Sequence, residues 1–115
     1  MGLTISSPNK TTEHMIARIW HGRTSISHYE EYTDFMKEVA IHDYQQTDGF
    51  VKLSFLRRAE GEVAHFTLIT YWENLEVIKN FAGEDYEKAK YYPRDKEYLL
   101  EFEEKVIHYE VFAEV

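Results

Sequence analysis

Cysteine is absent from the 115-residue chain, so there is neither a disulfide framework nor a thiol nucleophile, as suits the reducing cytoplasm. Basic residues are scarce: thirteen Lys and Arg stand against twenty-one Asp and Glu, a net charge of −8. Nucleic acid is therefore excluded as a partner, because phosphate binding needs clustered cations. No apolar run approaches the roughly 18 residues of a membrane helix, and no signal-peptide core follows the start. Phosphate loops, Walker sequences and the G-x-S-x-G elbow are all missing, which leaves nucleotide and serine-hydrolase chemistry without support. Six histidines are present, but no pair has H-x-x-x-H or H-x-H spacing, so no metal site is expected. What the chain does have is aromatic side chains: nine Tyr, seven Phe and two Trp. They imply an aromatic core with an aromatic-lined cavity or interface.

The organising stretch is Ala64 to Asp85. Its first part, with Phe66, Leu68, Ile69, Tyr71 and Trp72, reads as a strand. The period then changes to a helical one, with Asn74 as cap, Leu75, Ile78, Phe81 and Ala82 as stripe, and Gly83 as stop. Before it, residues 1–13 read as a mobile arm and residues 14–115 as a single domain. Met15 to Trp20 is a strand from which His21-Gly22-Arg23 departs. Ser27 and Glu30 form a capping box for a helix reaching about Tyr44. Phe50 to Arg58 is a second strand, joined to the third by a turn at Ala59-Glu60-Gly61-Glu62. Helical turns are expected from Asp85 through Ala89 and from Pro93 through Leu100, and a last strand from Lys105 to Glu114. The order β-α-β-β-α-β predicts an α+β ferredoxin-like domain, a four-stranded antiparallel sheet in spatial order 4-1-3-2. One sheet face is then uncovered, and a homodimer is expected to cover it.

The segments IARIWHG, TYWENLEVIKNFAG and KVIHYEV resemble the antibiotic biosynthesis monooxygenase group of the dimeric α+β barrel superfamily. The likeness spans about residues 14–114 and implies a cofactor-independent monooxygenase acting on a small planar aromatic or quinol-like molecule. The alternative is a non-catalytic dimer of the same fold that binds a small molecule. Haem-degrading members of the group carry an Asn, a Trp and a His where Arg18, Phe81 and Tyr91 stand here. The iron-coordinating His is thus replaced, and no cofactor is expected. Trp72 ends the third strand as in quinone-forming members, whereas their Asn four residues earlier is Leu68.

Among candidate site residues, His21 at a strand end is the expected proton-transfer group, and Arg18 the expected stabiliser of an oxyanion. Arg18 has a second reading, an internal ion pair with an acid such as Glu110. Trp20, Trp72, Phe81, Tyr91 and Tyr92 are the expected substrate-binding aromatics. His65 and His108 are expected on strands separated by the first, able to share a face without touching.

Overall fold

The computed structural model describes residues 14–115; the expected arm of residues 1–13 lies outside the described residues. The first strand, β1 (Ile16–Ser25), does not end at Trp20 as expected but continues five residues further. Its second half pairs with the third strand, β3 (Val63–Trp72), as His21 with Thr67 and Ser25 with Val63. Gly22 is therefore a strand residue, and packing explains the glycine. A Cβ there would stand 2.5 Å from the Trp20 ring and 3.1 Å from Leu99.

Ser25 accepts a bond from the Ser27 backbone and starts a short 3-10 turn, Ile26–His28, so the cap lies two residues before the expected capping box. Helix α1 (Tyr29–Gln45) follows and buries Tyr32, Phe35, Met36, Ala40 and Tyr44. Strand β2 (Phe50–Glu60) runs back to Gly61, whose φ of 61° closes the hairpin with β3. Helix α2 (Leu75–Ala82) has the expected ends: Asn74 accepts from the Val77 backbone at 3.1 Å, and Gly83 takes φ 93°.

Beyond Gly83 the expectations need correction. Residues 85–89 form no helix, because the backbone there pairs with 104–106 through Ala89 N to Glu104 O and Val106 N to Glu87 O. Tyr92, forced extended by the following proline, has ψ 153°, and only a 3-10 turn, Pro93–Glu97, succeeds it. The last strand, β4, is four residues long (Ile107–Glu110) rather than ten.

The sheet has the order β2-β3-β1-β4, all neighbours antiparallel, as predicted. The even-numbered side chains of β1 and β3 point under the helices and are buried from Arg18 to Thr24 and from Ala64 to Trp72. The odd-numbered ones, Ile19, His21, Thr67 and Ile69 among them, lie on the opposite face and, apart from the buried Ala17, are half-buried. No described helix is long and apolar enough to cross a membrane.

Candidate functional site

Between sheet and helices, β1 contributes Trp20, β3 Leu68, α1 Met36 and Tyr44, and α2 Phe81 to the wall of one cavity. The segment 90–95 closes it with Lys90, Tyr92 and Asp95. Its volume of about 10 Å³ is room for a single water molecule. Three of the five expected binding aromatics, Trp20, Phe81 and Tyr92, thus meet in one place. Trp72 does not join them. It is wholly buried among Tyr44, Phe50 and Phe81, with its indole N–H donated to Thr70 at 2.8 Å. Tyr91 packs edge-on to Trp20 and donates its hydroxyl to the Glu103 carbonyl.

Two polar groups of this cavity, Lys90 and Asp95, are not among the expected site residues. Asp95 is 1% exposed and accepts from the Tyr32 hydroxyl at 2.8 Å and the Tyr92 backbone at 2.7 Å. Burial raises its pKa above the usual carboxylate value, although both hydrogen bonds work against that shift. Lys90 reaches over the Phe81 ring at 4.1 Å and pairs with Asp43 at 2.9 Å, where the Tyr92 hydroxyl also donates at 2.7 Å. Burial pushes Asp43 up, but these two donors outweigh it and hold the carboxyl below its ordinary value. Tyr92 is itself shifted up, by burial and then by its bond to Asp43. A signal for Asp95 did exist: it lies third after Tyr92, where a carboxylate bonds back to the backbone at the start of a turn.

Arg18 is 3% exposed, 5.7 Å from the Phe81 ring, and finds no carboxylate among the described residues. Its guanidinium instead donates to the carbonyls of Tyr86 and Lys88 at 3.1 and 3.2 Å, so the expected ion pair with Glu110 does not form. Burial lowers its pKa, yet a guanidinium stays charged.

His21 lies on the other face of the sheet, so His21 and Arg18 share no cavity within one chain. Its Nδ1 meets Glu103 at 2.6 Å, and its Nε2 meets Nδ1 of His65 at 3.3 Å. His65 continues through Nε2 to Glu60 at 2.9 Å. The ring centres are 5.5 Å apart, which sets the two nitrogens between the rings and facing each other. His108, contrary to expectation, is on the opposite face from His65, beside Arg18. Among the described residues no group of three or more His, Asp or Glu side chains could hold a metal ion.

Several solved structures share this architecture. A Bacillus cereus protein assigned to the antibiotic biosynthesis monooxygenases is 14% identical with TM-score 0.61, over 89% of this chain and 97% of its own. A haem-degrading protein from Mycobacterium tuberculosis, with two haems bound in its active site, is 19% identical with TM-score 0.59, over 87% and 98%. A Streptomyces coelicolor monooxygenase in complex with nanaomycin D is 12% identical with TM-score 0.56, over 96% and 97%. No protein-family profile matches the sequence. No curated protein matches it either. The fold is therefore that of the antibiotic biosynthesis monooxygenase-like α+β domains.

Proposed function

We propose that the chain is a cofactor-independent monooxygenase that oxidises a small planar aromatic or quinol-like molecule. The observation that carries this reading is Asp95: a buried carboxylate with raised proton affinity, facing a cavity walled by Trp20, Tyr44, Phe81 and Tyr92. Such a group suits general base catalysis on a weakly acidic C–H. Asp95 takes the proton, and the electron pair left on carbon is delocalised into the ring as an aryloxide. Lys90, over Phe81, stabilises that charge. Dioxygen then adds to the carbanion, and loss of water from the peroxide leaves a carbonyl. The balance is R–CH2–R′ + O2 → R–CO–R′ + H2O. The base is Asp95 rather than the expected His21, which faces away from the cavity. Arg18 acts from behind Phe81 and through its field alone. The monooxygenase fold neighbour that holds nanaomycin D supports the choice of an aromatic substrate.

A second reading, non-catalytic binding of a small molecule, is favoured by one observation. Asp43, Lys90, Tyr92 and Asp95 are all satisfied by one another, by the Tyr32 hydroxyl or by the backbone without a ligand. Oxygen uptake with an anthrone-type quinol precursor separates the two. The oxygenase predicts uptake that falls about 100-fold or more in Asp95→Asn, the contribution of a positioned base. Saturable binding without any oxygen uptake leaves the binding protein.

A further inference from the structure

The cavity described above, at about 10 Å³, admits no aromatic molecule as it stands. Next to it, between α1 and β2, lies an open cleft of about 330 Å³, within the range of small-molecule sites. Met36 and Leu68 line both spaces, so one wall two side chains wide separates them. Phe55 and Phe66 give the cleft an apolar floor, and Lys37 and Arg57 stand on its rim. Arg57 has Glu30 and Asp34 as acidic neighbours, which leaves Lys37 as the cation of the rim that is not ion-paired among the described residues. Arg57 is held by Glu30 at 3.0 Å and Thr33 at 2.9 Å and stacks on Tyr29 at 4.2 Å. Lys37 is exposed and has no ion pair among the described residues.

The two wall residues differ in mobility. Leu68 sits on β3, hydrogen-bonded to strands on both sides. Met36 is a buried helix residue whose unbranched, soft side chain is the more adaptable of the two. We propose that the α1–β2 cleft is the entrance to the inner cavity, that it receives planar aromatic anions on Lys37 and Arg57, and that Met36 is the gate between the two spaces. The inner end of the route rests on the function proposed above; the anion site in the cleft does not. The cleft lies mainly on the helix side of the sheet; of its lining, Leu56 alone belongs to the register that faces the other side.

Anilinonaphthalenesulfonate, a planar aromatic anion, tests this with the full chain in low salt. Expected is saturable binding, one probe per chain, in two phases: docking in the cleft, then a slower entry past Met36. Lys37→Glu reverses an exposed charge and weakens binding about fivefold, in line with surface ion pairs. Met36→Ala removes the slow phase and shifts probe emission to the blue. Because that variant leaves a core cavity, Met36→Leu is made alongside; it keeps the volume but is stiffer, and slows the second phase. Absence of saturable binding, affinity indifferent to Lys37→Glu, or kinetics indifferent to Met36→Leu each overturns the entrance. Oxygen uptake plays no part in these readings. Two-phase binding with no Asp95-dependent turnover removes the oxygenase and keeps the entrance, and turnover with both rim and gate variants indifferent does the reverse.

Discussion

At the scale of single residues, the molecule keeps several polar side chains under the sheet and satisfies them in different ways. Arg18 leans on two carbonyls, Asp95 on a hydroxyl and a backbone N–H, and Trp72 on the Thr70 hydroxyl. The Trp20 indole N–H and His108 are exceptions; His108 has a buried Nε2 without a hydrogen-bond partner and a ring edge-on to Tyr86 at 5.4 Å. Burial, helped by the nearby Arg18 charge, lowers its pKa from 6.5 to about 4. The sign of the consequence follows from proton uptake. Below 6.5 the unfolded chain takes the proton first, so the native state loses ground as pH falls towards 4 and then loses no more to this group. A displacement of that size corresponds to roughly 3 kcal/mol at most. His108→Phe keeps an aromatic ring without the titration. Unfolding free energies from urea titrations at pH 7 and pH 4.5 should therefore lie closer together in the variant than in the natural chain, by about 2 kcal/mol. Equal acid losses in both would assign the pH dependence elsewhere.

At the scale of elements, local signals and long-range packing divided the work. The α2 helix was legible end to end, because Asn74, the Leu75–Ile78–Phe81 stripe and Gly83 all act within a few residues of one another. The strand order was legible too, since β-α-β-β-α-β has few antiparallel solutions. The end of β1 was not, because Gly22 reads locally as a breaker while its reason is the Trp20 ring folded across it. The same holds for residues 85–106, where backbone pairing between 87–89 and 104–106 outweighs weak helical propensity. The site suffered most: Trp20, Phe81 and Tyr92 could be named from their aromatic character. Asp95 and Lys90 enter only through a segment whose course is set by contacts far away in sequence. Gly22→Ala tests the explanation of β1. A methyl there must push the Trp20 ring or Leu99, and overpacking of this kind costs about 1–3 kcal/mol in urea unfolding. Since Trp20 also walls the cavity, ligand affinity should change with it; an unchanged stability would mean that the ring yields freely.

At the scale of the whole molecule, the two faces of the sheet have different fates. One is filled by Trp20, Phe66, Leu68 and Trp72 beneath the helices. The other carries Ile19 and Ile69 half-buried at its centre, with Leu56 48%, Ile107 56% and Tyr109 54% exposed towards its edges. The polar chain Glu60–His65–His21–Glu103 and the Arg23–Glu101 pair run along the same side. An apolar patch bordered by satisfied polar groups is the build of a protein interface, and a second copy presenting the same face is the simplest partner of matching shape. We propose that the chain is a two-fold homodimer, each copy covering roughly 800 Å² of the other, the area of a standard interface. Sedimentation equilibrium at micromolar concentration should give twice the chain mass of 13.8 kDa. Ile107→Arg places an unpaired charge opposite Ile19 and should weaken the dimer at least tenfold, a penalty of about 1.4 kcal/mol or more. Ile107 is itself exposed in the single chain, so the variant should fold with an unchanged far-ultraviolet spectrum. A natural chain that sediments as a monomer, or an Ile107→Arg variant that dimerises as well as its parent, would place the partner surface elsewhere.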